Sequence, residues 1–148
     1  MAPPILAVLG GQRASVMRTV VELSKPEFEP IHAILSREAG VAEIPAILRG
    51  EKPSVSDPEA LEVGTTNDYS KPPQAIVLGG GYGDEDAEEM RKACKGHLNV
   101  PWMLFDKNKP VDVPLGPEYA KIVVGRGKEL LAKLQAEGKL GKDGIYYY

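Results

Sequence analysis

The chain has 148 residues, of which 43% are hydrophobic and 26% charged, with a net charge of −3 at neutral pH. This is the make-up of an ordinary globular domain, and the absence of any long basic run argues against nucleic acid as a partner. The single Cys94 excludes an internal disulfide and a cysteine-built zinc site.

The segment MAPPILAVLGG has too short an apolar run, and no basic leader, to read as a signal sequence. No stretch approaches the roughly 18 apolar residues that a membrane helix needs. One cytoplasmic domain with no membrane partner is expected. PILAVLG (4–10) is a continuous apolar strand of the kind buried on both faces. Val16, Met17, Val20, Val21 and Leu23 then follow helical spacing, and Pro26 closes that helix. PIHAILS (30–36) is a second buried strand, followed by a short helix over 40–49 with Pro45 early in it. EALEV (59–63) reads as a weak strand, and residues 50–58 and 64–73 as loops. QAIVLGG (74–80) is a strong buried strand, and DEDAEEMRKACK (84–95) is a helix whose acidic start and basic end match its dipole. VPWMLFD (100–106) is the last clear strand, and a long helix is expected over about 117–137. Alternating buried strands and helices predict α/β architecture: a single Rossmann-like domain with a doubly wound, mostly parallel sheet and helices on both faces.

Two glycine turns follow strands. The first, VLGGQRAS, sits where a dinucleotide fingerprint G-x-G-x-x-G would lie, at a helix N-terminus that offers free N–H groups to an anion. With Gly10 in the first position, Gln12 falls where the backbone should approach a diphosphate, and Ser15 where the helix should pack on the strand. Gly10, Gly11, Gln12 and Arg13 are the candidate phosphate contacts, Arg13 adding a formal charge.

The stretch VLGGQRASVMRTVVELSKPEFEPIHAILSRE resembles the start of NmrA-like proteins, atypical short-chain dehydrogenases. Met17-Arg18-Thr19-Val20-Val21 is similar to their first helix, and Ala33-Ile34-Leu35-Ser36-Arg37 to the end of their second strand. The turn is shorter than that family's G-A-T-G-x-x-G. The likeness covers about the first 37 residues, on a chain without the family's substrate lobe. It implies an NAD(P) fold in which Ser36 and Arg37 would face the 2′-phosphate of NADP, so NADP is the cofactor expected.

The second turn, LGGGYGDEDAEEM, opens a helix with Asp84, Glu85 and Asp86. That negative start suits helix capping rather than phosphate, and the spacing of a calcium loop is missing, so no metal site is assigned. If the two glycine-ended strands are neighbours, Gly79, Gly80 and Gly81 face residues 10–13 across a crevice, with Tyr82 free to stack on a ligand ring. The tyrosine–lysine pair of short-chain dehydrogenases is absent, as are a G-x-S-x-G elbow and a P-loop lysine. His32, inside an apolar strand, reads as a satisfied core residue, and Cys94 as packing. The sequence therefore points to a ligand-binding or regulatory module derived from an NAD(P) fold, without dehydrogenase chemistry. The alternative is a small cofactor-independent enzyme of isomerase, cyclase or dehydratase type, working through Asp84, Asp106 and Tyr82 in the same crevice. The aromatic end, Ile145 to Tyr148, is expected to dock on its own sheet edge or on a second subunit as a homodimer, or to close the crevice.

Overall fold

The computed structural model describes residues 3–148. The strands are β1 (Ile5–Gly10), β2 (Phe28–Ile34), β3 (Ala75–Leu78), β4 (Pro101–Leu104) and β5 (Gly144–Tyr147). The helices are α1 (Ala14–Ser24), α2 (Arg37–Leu48), α3 (Asp84–Ala93) and α4 (Pro117–Ala136). All strand pairs are parallel, in the order β2-β1-β3-β4-β5. This is a doubly wound order, with its reversal point between β1 and β3.

The continuous apolar runs of the strands are explained by two cores, one on each face of the sheet. Ala7 and Leu9 of β1 pack with Met17, Val21, Leu131 and Leu134 of α1 and α4. Val8, one residue out of phase, packs on the other face with Ile44, Ile47 and Met90 of α2 and α3. A strand covered on both sides has no polar face to alternate with. One polar group is enclosed in the second core. His32 lies 2.8 Å from Glu43 through Nε2 and 2.7 Å from the Tyr69 hydroxyl through Nδ1, while the Ser56 hydroxyl donates to Glu43 at 3.1 Å. These bonds satisfy the buried histidine and pin the long loop after α2 to the core.

Two elements differ from expectation, and a third takes one of the places expected for it. Residues 58–62 form a 3-10 turn rather than a strand. Pro58 supplies a helical φ at its first position and Asp57 accepts from the Glu59 N–H at 3.0 Å, a local turn that outweighs the three apolar residues of EALEV. Helix α2 starts at Arg37 because the Ser36 hydroxyl accepts from the Ala39 N–H at 3.1 Å, so the start is set by a cap rather than by apolar periodicity. The C-terminal aromatic stretch is strand β5, paired to β4 along the sheet edge.

Candidate functional site

Because β1 and β3 are neighbours, the turns that leave them meet at the carboxyl edge of the sheet, where doubly wound proteins hold ligands. Three hydrogen bonds join the turns. The Gly79 N–H donates to the Gly10 carbonyl at 2.9 Å, the Gln12 amide to the Gly81 carbonyl at 2.9 Å, and the Tyr82 hydroxyl to the Gly11 carbonyl at 2.9 Å. The glycines at 10 and 79 are there because the turns touch. A Cβ on Gly10 would lie 2.7 Å from the Leu78 side chain, and one on Gly79 3.2 Å from the Gly10 carbonyl oxygen.

Above these turns, on the face covered by α1 and α4, lies a crevice of about 460 Å³. Its rim is Gly10, Gly11, Gln12, Arg13, Gly79, Gly80 and Gly81, so the structure brings together the glycine-turn residues singled out from the sequence. Its walls are apolar and aromatic, among them Met17, Val77, Phe105, Leu115, Tyr119 and Tyr148. Among the described residues, Arg13 is the one charged side chain that lines it. Arg13 is also the residue that precedes α1, with no side-chain cap, so the free N–H groups of that helix open on the same rim. The floor is firmly built. The Tyr148 hydroxyl donates to the Leu78 carbonyl at 2.8 Å, and its ring meets Phe105 edge-to-face with centroids 6.1 Å apart. Burial pushes the Tyr148 phenol well above its usual range, so it serves as a neutral donor.

Other candidates fall elsewhere. Tyr82 does not present its ring to the crevice. It is 3% exposed and packs in the α2/α3 core, its hydroxyl bonded to Gly11, and burial raises its phenol. The apolar core under α2 and α3 holds its ring there. Asp84 and Asp106 lie outside the crevice, in a depression of about 430 Å³ beside β4 and β5 that Tyr82 and Tyr147 also line. The Tyr147 hydroxyl donates to Asp84 at 3.1 Å, a bond that raises the Tyr147 phenol. Asp106 accepts from the Asn108 N–H at 2.9 Å, the geometry of a turn. Asp86 accepts from the Gly83 N–H at 2.8 Å and closes the start of α3.

Ser36 is spent on capping α2. Arg37 is 3.5 Å from Asp86 and 3.8 Å from Glu38, in a separate hollow lined by Glu38, Glu85, Glu88 and Glu89. Four glutamates are a poor setting for a 2′-phosphate. Cys94 is buried, and burial lifts its thiol to about 12, as for an inert packing residue.

The far wall of the crevice (Phe105, Val111, Leu115, Tyr119 and Tyr148) had no motif to announce it. The aromatic chain end was its only visible trace.

No described helix is long and apolar enough to cross a membrane. No family model matches the chain and no solved structure matches it. The chain is 33% identical over 150 residues to Kojic acid related protein 6 of Aspergillus oryzae (strain ATCC 42149 / RIB 40). That similarity covers 98% of this chain and 88% of the relative. The chain belongs to the same family as Kojic acid related protein 6.

Proposed function

We propose that this protein is a small-molecule-binding protein whose ligand occupies the crevice between β1 and β3, with no dehydrogenase chemistry of its own. One observation carries the reading: an apolar, aromatic-walled crevice of about 460 Å³ at the reversal point of the sheet, with a single cationic side chain on its rim. Ligand sites of this size are lined mainly by apolar groups and oriented by a few polar ones. Arg13 and the start of α1 suit a carboxylate, an enolate or a phosphate, and the walls suit a planar organic body. The Gln12 amide already spans the rim to Gly81, so a ligand with a polar end exchanges that bond for its own.

NADP remains a candidate ligand on the strength of Arg13 and the α1 N-terminus. Arg37 adds nothing to a preference for it over NAD, being held among glutamates. The relative's name ties it to kojic acid, and a small oxygenated ring is compatible with these walls. The enzymatic alternative rests on Asp84 and Asp106 lining one depression, which would offer two carboxylates to a substrate beside β4.

A thermal-shift and calorimetry panel of NADP, NADPH, NAD, NADH, kojic acid and simple aromatic carboxylates tests the reading. At least one compound raises Tm in the native chain and fails to do so in Gly80→Val, whose Cβ would lie 3.2 Å from the Tyr119 hydroxyl inside the crevice. Silence across the panel at millimolar concentration, or equal shifts in both proteins, overturns it.

A further inference from the structure

The two edges of the sheet are finished differently. On β2, the loop after the 3-10 turn runs along the outer side. The Thr66 N–H donates to the Pro30 carbonyl at 3.0 Å and the Asn67 N–H to the Ile31 carbonyl at 2.9 Å. That strand also carries Glu29 and Pro30, and its pairing with β1 shifts register between Ala7 and Val8. Bulges, prolines, charges and covering loops are the usual means of keeping an edge from pairing with another chain.

β5 has none of them. Its sequence, Gly-Ile-Tyr-Tyr, holds no charge, no proline and no bulge, and among the described residues it pairs with β4 alone. The Tyr148 N–H donates to Leu104 and the Asp106 N–H donates to the Tyr148 carbonyl, so Tyr148, and Tyr146 two residues before it, turn their backbone groups towards β4. The alternation of a strand then points the N–H and C=O of Ile145 and Tyr147 outwards. The side chains of these two residues are 38% and 48% exposed, and Leu98, 44% exposed, lines a hollow together with Asp143 just before the strand. Three of the exposed large apolar residues thus gather beside one open edge.

We propose that this edge pairs with the β5 of a second copy, antiparallel about a two-fold axis, to give a homodimer with a sheet continuous across the interface. An isologous contact needs a surface complementary to itself. The outward N–H and C=O groups of Ile145 and Tyr147 satisfy that, each donor meeting an acceptor of the other copy. The charges agree. Antiparallel pairing sets the Lys142 end of one strand against the Asp84 and Asp106 end of the other, and none of these three makes an ion pair within its own chain among the described residues. Asp143, the charge of opposite sense at the Lys142 end, is already engaged with Arg91. The pairing is independent of any crevice ligand, although Tyr148 of the crevice floor directly follows β5.

Ile145→Pro is the decisive variant, because it removes one outward N–H and leaves the bonds of Tyr146 and Tyr148 to β4 in place. Ile145→Lys sets two like charges close to the axis and keeps the backbone. Light scattering with size exclusion over 1–100 µM protein is expected to give twice the 16.0 kDa chain mass for the native protein. Both variants are expected at one chain mass with an unchanged far-UV spectrum. Should Ile145→Pro unfold, Ile145→Lys decides alone. A native monomer at 100 µM, or a dimer that survives in the folded variants, overturns the proposal.

Discussion

The crevice over β1 and β3 and the depression beside β4 and β5 share one sheet edge, and Phe105 lines both, yet they differ in chemistry. The crevice has Arg13 and no carboxylate among its described lining residues, and most of its wall is apolar. The depression holds Asp84, Asp106 and the Tyr147 hydroxyl, with Lys107 and Asn108 beside them. The difference follows from which face each turn leaves. The chain passes from Gly10 directly into α1, whose uncapped start carries positive potential to the rim. It passes from Gly81 into Tyr82 and the acidic first turn of α3 on the opposite face. Strand ends only a few ångströms apart therefore offer an anion two opposite receptions.

Overfilling the core beneath the crevice rim should break this comparison most severely. Gly10→Val sets a Cβ 2.7 Å from Leu78 and 3.3 Å from Ile34 and Tyr82, all in the core. Overpacking of this kind costs about 1–3 kcal/mol, so chemical denaturation should show a loss in that range together with lost binding. Tyr148→Phe leaves the buried Leu78 carbonyl without its donor, at about 1–3 kcal/mol, and a Tm lowered by several degrees checks it. Should its Tm match the native value, the crevice floor does not depend on that bond.

Gly80→Val occupies the crevice at a position where φ lies outside the left-handed region, so it should keep the fold. Calorimetry with whichever panel compound binds the native chain should show affinity about tenfold lower or worse, a change of about 1.4 kcal/mol. A smaller effect separates the two cavities by charge. Arg13→Gln should weaken an anionic ligand by about 0.5–1 kcal/mol, more at low salt than at high, and leave a neutral one unchanged. Asp106→Asn should leave crevice binding and Tm within about 0.5 kcal/mol of native, since Asp106 faces the other depression and only caps a turn. An Asp106→Asn protein that loses crevice binding would join the two cavities into one site and favour the enzymatic reading.

The two glycine turns, the order of buried strands and helices, and the inert placement of Cys94 could be read from local pattern. Each depends on a short stretch whose apolar spacing or lack of Cβ speaks for itself. Residues 10–13 and 79–81 were legible as rim for the same reason. Tyr82 was not, because a glycine turn shows that the chain bends and does not show which face the next side chain takes. Arg37 kept its expected position at the end of β2 and lost its expected partner, since Asp86 reaches it from α3, a contact across 49 positions of sequence. Thus the sequence by itself determined the α/β class, the alternation of elements and the positions of the glycine turns along the chain, because secondary structure follows periodicity within a dozen residues. Only the tertiary structure decided that the aromatic chain end is an edge strand, that Phe105, Tyr119 and Tyr148 wall the crevice, and that the carboxylates lie outside it. Those facts depend on which residues far apart in sequence share a face of the sheet, and no local stretch carries that information.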